Sequence, residues 1–249
     1  MEYLLAAISF VAAFLFSLGG IGAAIILIPI LHAFGIPLSA AKPVGLFYNT
    51  VSLTGASINN IRNKRLDFKL GIPIIIFSFL FAIVGAYVSK YIDPQVILLM
   101  FIAFLVFSGF MFLFFKNKKQ ADFREDVPYI PLSIIGAVAG LLSGLLGIGG
   151  GGIISPLLLM MGFNPKKITT ITAFVVPFSS LSGFLTYWSI GTVDWRLLII
   201  ISLAGIAGAT IGTIFMQKRL NPLIVKKILA IILLIMAVKM GFNFFQIQG

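Results

Sequence analysis

The chain has no cysteine and a single histidine among its 249 residues. The first absence rules out disulfides, thiolate chemistry and cysteine-ligated metals. The second leaves too few imidazoles for a histidine-built metal site. Charge is also scarce. Asp, Glu, Lys and Arg make up 10% of the residues, against roughly 25% in a soluble domain. Acids are scarcest, with seven Asp and Glu against 18 Lys and Arg. No acid lies deep inside a long apolar run. That argues against cation transport through coordinating carboxylates and against a proton pump built on a buried Asp. Without buried nucleophile, base or metal cluster there is little from which to assemble an active site, so neither enzyme activity nor a cofactor is expected.

What the chain has in quantity is apolar side chain, 60% of residues. Residues 43–61, 70–89, 95–115, 127–165, 168–193 and 197–217 carry no charge. Several of these runs exceed the ~20 residues that cross a ~30 Å hydrocarbon layer. They are apolar all round rather than alternating, which points to helices and away from a β-barrel. The net charge of +11 suggests nucleic acid at first sight. The basic residues, however, sit in short clusters between apolar runs, where such clusters set membrane topology. Met1-Glu2-Tyr3 offers no basic stretch before the first apolar run, so no cleavable signal is expected.

The chain is also written twice. Residues 20–31 read GIGAAIILIPIL, and residues 147–158, an offset of 127, read GIGGGGIISPLL. At the same offset Pro29 meets Pro156, Gly35 meets Gly162, Ser52 meets Ser179 and Gly85 meets Gly212. Asp67-Phe68-Lys69 lines up with Asp194-Trp195-Arg196. Each half holds two short apolar segments, then three long ones: about 3–18, 22–34, 43–61, 70–90 and 95–115, then 130–146, 150–161, 168–188, 197–217 and 223–245. The predicted fold is all-α and polytopic, with two inverted-topology repeats, each a short glycine-broken helix pair followed by three long transmembrane helices. The boundaries are 1–115 for the first repeat, 116–129 for a cytoplasmic linker and 130–249 for the second repeat. Each short pair either crosses as two helices or enters and returns as a hairpin; the crossings per half are odd in number both ways, so the second half is inverted. Placing loops 62–69, 116–127, 162–167 and 218–227 in the cytoplasm gathers fourteen of the eighteen cations there. That orientation predicts a multi-pass protein of the cytoplasmic membrane with both termini outside.

Internal duplication with glycine-interrupted apolar segments is a mark of secondary transporters. Two turns, Gly19-Gly20-Ile21-Gly22 and Gly147-Ile148-Gly149-Gly150-Gly151-Gly152, break helices inside the apolar region. A helix that starts at such a turn points free N–H groups and a partial positive charge at whatever lies in front of it. This makes an anion site without a charged side chain. Gly147-x-Gly149-x-x-Gly152 fits the dinucleotide fingerprint in letters only, since no strand precedes it and no acid follows near Thr172. The helices after the turns carry hydroxyls and amides at equivalent places, including Asn49, Thr50, Ser52, Thr169, Thr172 and Ser179. Such side chains suit an oxyanion that accepts hydrogen bonds. Any single hydroxyl can equally bond back to its own helix. Lys42, before Pro43 at an expected helix start, reads as an interfacial lysine reaching head groups or as a cation drawing substrate to the external mouth. The candidate anion site comprises Gly20, Gly22, Lys42, Asn49, Thr50, Ser52, Gly149, Gly150, Gly151, Thr169, Thr172 and Ser179.

On the run from Gly147 to Pro156, on Gly162 with the Ser/Thr-bearing helix behind it, and on the degenerate first copy Gly19–Pro29 with Gly35, the chain resembles the TauE/SafE sulfite exporters, also called the 4-toluene sulfonate uptake permease family. The resemblance covers essentially the whole chain. It implies transport of sulfite, a sulfonate or a related organosulfur anion by alternating access, with a small anionic substrate and the lipid bilayer as partners. Ala23 and Ala24 depart from the glycine-rich form of the second copy. Three readings stay open beside this one: another small anion such as a carboxylate as cargo, an accessory subunit of a membrane complex, and a homo-oligomeric state.

Overall fold

In the computed structural model, residues 2–17, 22–114, 123–191, 193–219 and 222–248 are described. They form ten α-helices. The first half contributes α1 (Glu2–Ser17), α2 (Ala24–Ala33), α3 (Leu38–Arg62), α4 (Phe68–Val88) and α5 (Pro94–Phe114), with a 3-10 turn at Ser89–Tyr91. The second contributes α6 (Tyr129–Leu146), α7 (Gly151–Met160), α8 (Pro165–Ile190), α9 (Trp195–Arg219) and α10 (Pro222–Gln248). Each apolar segment read from the sequence overlaps one α-helix among the described residues. Among the described residues, five stretches are long and apolar enough to span a membrane: Phe68–Tyr91, Pro94–Phe114, Tyr129–Leu146, Pro165–Ile190 and Trp195–Gly212.

The largest departure is at α3. The sequence places its start at Pro43, but the helix begins at Leu38, with Pro37 extended as its N-cap residue. Pro43 thus lies inside the helix, where it lacks the N–H that would bond back four residues. The earlier start moves Lys42 from a helix edge into the second turn. α3 is also the most polar helix, and it lies in the interior, packed by α2, α8 and α9. At the other starts local chemistry does the work. Asn164 accepts from Lys166 N–H at 2.9 Å ahead of Pro165. Asp67 and Asp194 accept from Lys69 and Leu197 N–H at 3.1 and 3.0 Å, a favourable place for an acid at the positive end of a helix.

Helix pairing has a two-fold pattern. α4 packs on α6 as α9 packs on α1, α4 meets α8 as α9 meets α3, and the pairs α3–α8 and α5–α10 join the halves directly. The same glycines turn left-handed in both halves, Gly22 (φ 87°) with Gly149 (φ 80°) and Gly35 (φ 85°) with Gly162 (φ 88°). The α4–α6 contact is a seam of small residues. A Cβ on Gly136 would come within 2.7 Å of the Ile74 carbonyl oxygen, and one on Gly144 within 2.5 Å of the Ala86 nitrogen. Gly140 meets the Ser78 backbone between them. Backbones that approach this closely associate by dispersion, the main force available where lipid replaces water. On the other side of the molecule, Gly208 of α9 lies against the Phe10 backbone of α1.

α2 and α7 are 10 residues each, about 15 Å and so half a membrane. α7 starts beside Ala139, whose carbonyl oxygen would lie 3.0 Å from a Cβ on Gly150. It ends at Met160, two residues before Gly162, whose carbonyl accepts from Arg124 N–H at 3.0 Å. The α6–α7 pair therefore leaves and returns at one end of the bundle. That end also holds the ion pair of Lys167 and Asp67 at 2.6 Å. α2 runs the opposite way, toward the end where Lys42 meets Ser89.

Candidate functional site

Asn49 stands near the middle of α3 and is fully buried. Its Oδ1 accepts from the N–H of Ala24, the first residue of α2, at 3.0 Å. Its Nδ2 donates to the Ile148 carbonyl in the second glycine turn at 2.9 Å. One amide thus ties together the starts of both half-helices, and their positive ends converge on it. Neither N-cap residue, Ala23 or Gly150, caps its helix with a side chain. The fit around Asn49 is tight. A Cβ on Gly22 would come within 2.6 Å of its Oδ1, and one on Gly149 would strike its Nδ2. At Gly149 the left-handed backbone and the contact both require glycine.

Two serines of α8 complete the group. Ser179 Oγ lies 3.2 Å from the Gly149 carbonyl oxygen and 3.1 Å from that of Val176. Ser180 is fully buried, and its hydroxyl has no hydrogen-bond partner among the described residues. A Cβ on Gly149 would sit 2.6 Å from that hydroxyl. An orphaned buried hydroxyl costs about 1–3 kcal/mol, so its position beside a helix start is notable.

The other expected residues divide. Gly22, Asn49, Gly149 and Ser179 come together as described. Gly150 (φ 74°) and Gly151 continue the turn into α7. Ser52 is buried nearby, with its Oγ 3.5 Å from the Asn49 carbonyl. Thr50 and Thr169 bond back to Leu46 and Pro165 carbonyls, both at 3.0 Å; Thr169 stands in the second turn of α8, at the Asp67 end. Thr172 pairs with Ser155 of α7 at 3.1 Å, away from the turn. Gly20 lies outside the described residues. Ser180 was legible as one of several hydroxyls on α8 but not as the orphan among them. Ser89 and Tyr187 carried no signal at all.

Lys42 differs from both expectations for it. It is 3% exposed, so it neither reaches head groups nor stands open at a mouth. The early start of α3 is the reason, because it buries this turn between Gly147 and α8. A Cβ on Gly147 would lie 2.8 Å from Lys42 Cα. Lys42 Nζ donates to Ser89 Oγ at 2.8 Å and lies 5.8 Å from the centre of the Tyr187 ring. Tyr187 Oη is 2.8 Å from both Ser89 Oγ and the Gly144 carbonyl oxygen.

At the opposite end, Asp67 pairs with Lys167, and Thr170 Oγ1 lies 3.4 Å from the Arg65 carbonyl oxygen. Partial desolvation raises the Asp67 pKa. The Lys167 hydrogen bond and charge, together with the Leu70 and Lys69 amides, outweigh it and hold the carboxyl below its usual range. No group of three or more His, Cys, Asp or Glu able to hold a metal occurs among the described residues. Half-helix N-termini, an amide and hydroxyls, with no acid bonded to them among the described residues, form a setting suited to a small anion.

Known proteins agree with a membrane carrier. The profile of the Sulfite exporter TauE/SafE family matches residues 5–240. A probable membrane transporter protein of Methanocaldococcus jannaschii is 28% identical over 253 residues, covering 95% of this chain and 94% of that protein. The probable membrane transporter protein YunE of Bacillus subtilis is 25% identical over 246 residues, 88% of this chain and 90% of its own. Sulfite exporter TauE/SafE family protein 6 of Arabidopsis thaliana is 38% identical over 103 residues, 41% of this chain and 24% of that protein. With helices that can span a membrane and a match along nearly its whole length, the chain belongs to the TauE/SafE sulfite exporter family as a multi-pass membrane transporter.

Proposed function

We propose that the protein moves a small sulfur-containing oxyanion, sulfite or an organosulfonate, across the cytoplasmic membrane by alternating access of two inverted repeats, residues 1–115 and 130–249. The observation that carries this reading is the Asn49 clamp. Two half-helix starts meet at one buried amide, with the unpartnered Ser180 hydroxyl beside them. Backbone N–H groups of Gly149–Gly151, the Asn49 amide and the hydroxyls of Ser52, Ser179 and Ser180 would hold the anion. In the observed conformation a methyl does not fit between Gly149, Asn49 and Ser180. An oxyanion is larger, so the turn has to draw away from α3 before anything binds. Movement of one repeat against the other does this and exposes the site to one side at a time.

Arg62, Lys64, Arg65, Lys69, Lys166 and Lys167 cluster toward the Asp67 end. On the positive-inside rule that end faces the cytoplasm and both termini lie outside. The similarity to proteins named sulfite exporters supports the sulfur oxyanion as cargo.

Uptake of radiolabelled sulfite into proteoliposomes tests the reading. Wild type should accumulate label, while Asn49→Ala and the double variant Ser52→Ala/Ser179→Ala should lose most of it. Transport unchanged in both variants would remove the site. Wild-type liposomes that carry a carboxylate but no sulfur oxyanion would change the cargo.

A further inference from the structure

A buried ammonium needs a partner, and the one on Lys42 is neutral. Lys42 is 3% exposed, yet the ion pairs among the described residues join Arg124 to Asp126 and Lys167 to Asp67. Asp93 and Asp194, four residues after Ser89 and seven after Tyr187, accept from the N–H groups of Gln95 and Leu197 at helix starts. Among the described residues Ser89 Oγ is the hydrogen-bond acceptor for Lys42 Nζ, at 2.8 Å. A hydroxyl dipole compensates a desolvated unit charge poorly. We propose that the Lys42 ammonium is the charge partner of the transported anion and that Ser89 holds its place while the protein is closed. This rests on the anion-transport reading above and adds to it the residue that supplies net charge.

Three features support the exchange. First, the stem of Lys42 is rooted against Gly147, where the second glycine turn begins. The ammonium thus pivots between Ser89 on one side and the turn on the other. Second, Asn49 lies seven residues further along the same helix, about 10 Å. An anion entering from the Lys42 end meets this charge before it meets the clamp. Third, Ser89 is the first link of a relay. With one proton to give, Tyr187 donates to the Gly144 carbonyl and accepts from Ser89, while Ser89 accepts from Lys42. The relay ties α3, the end of α4, α8 and α6 at one end of the bundle. An oxyanion that takes the ammonium from Ser89 unties it, so binding and opening are one event.

Competition gives the test its sign. Removing the acceptor should strengthen anion binding, because the closed state loses its hold on Lys42; removing the ammonium should weaken it. Both tryptophans of the chain, Trp188 and Trp195, stand at this end with ring centres 5.4 Å apart, so intrinsic emission reports on the relay. Purified protein in detergent is titrated with sulfite, using chloride as the control anion. Ser89→Ala should lower the half-saturating sulfite concentration about ten-fold, the scale of one hydrogen bond to a charged group. Lys42→Met should raise it more than ten-fold, and Lys42→Arg should stay within a few-fold of wild type.

Shifts of the same sign in Ser89→Ala and Lys42→Met would mark a structural role and overturn the proposal. So would wild-type affinity in Lys42→Met, or no response to any anion. If Lys42→Met fails to give a monodisperse protein, Ser89→Ala decides alone, since unchanged or weaker binding overturns the exchange. If wild type ignores sulfite but answers thiosulfate, an organosulfonate or a carboxylate, the cargo reading fails; the exchange stands if the opposite shifts recur with that anion.

Discussion

The two ends of the bundle are held by opposite means. At the Lys42 end the contacts are buried, directional and made to neutral partners: an ammonium on a serine, a serine on a tyrosine, a tyrosine on a backbone carbonyl. At the Asp67 end the contact is an ion pair whose side chains are 28% and 29% exposed. A pair so placed is partly screened by water and contributes roughly 0.2–1 kcal/mol. A buried polar chain is costly to break singly, because each partner left behind is unsatisfied. Under the alternating access proposed above, the Lys42 end is the stiff one that answers to ligand, and the Asp67 end the soft one that answers to salt and pH.

The severest way to break the contrast is to wedge the stiff end. Gly144→Leu places a branched side chain where even a Cβ would lie 2.5 Å from the Ala86 nitrogen. It should cost more than about 3 kcal/mol, seen as loss of the monodisperse peak in size-exclusion chromatography; a normal peak and melting temperature would show that the α4–α6 seam yields. Between the ends, Asn49→Ala strips two hydrogen bonds from the half-helix starts and should destabilise by about 2–4 kcal/mol. Its thermal unfolding should shift without altering the salt response of either end. Tyr187→Phe keeps the ring beside Lys42 but removes the relay hydroxyl, a loss of about 1 kcal/mol that 1 M salt should leave unchanged.

The smallest effect belongs to Asp67→Asn. It should lower stability by less than about 1 kcal/mol at low salt and by almost nothing at 1 M, where the screening length is about 3 Å. Its pH dependence has a definite sign. The folded carboxyl titrates below the unfolded value of about 3.9. Its contribution is thus complete above pH ~4 and disappears as pH falls through the folded value. Melting curves of wild type and Asp67→Asn should therefore converge on acidification. Curves that converge instead on raising the pH would place the stabilisation elsewhere.

Much of this is visible in the sequence, for identifiable reasons. Charge-free runs mark the helices because nothing else satisfies a backbone in lipid. The glycine turns are marked because Gly22 with Gly149 and Gly35 with Gly162 take left-handed backbone that few other residues adopt. The start of α3 was misplaced because Pro43 reads as a helix opening when it is an interior residue. Thr50 and Thr169 read as path-lining hydroxyls, but each had a nearer acceptor in its own helix. Asn49 read as one polar residue among many, since nothing local distinguishes a clamp from a lining group.

By itself the sequence determined that this is a helical membrane protein written twice, with half-length helices starting at glycine turns. Those properties follow from run length, periodicity and backbone conformation, all set within a few turns of chain. Only the tertiary structure decided which polar groups meet. Asn49 and Ile148 are 99 residues apart, and Lys42 and Ser89 are 47 apart. A hydrogen bond forms over about 3 Å, so helix packing, through the small-residue seam of α4 and α6 and the burial of α3, chooses its partners.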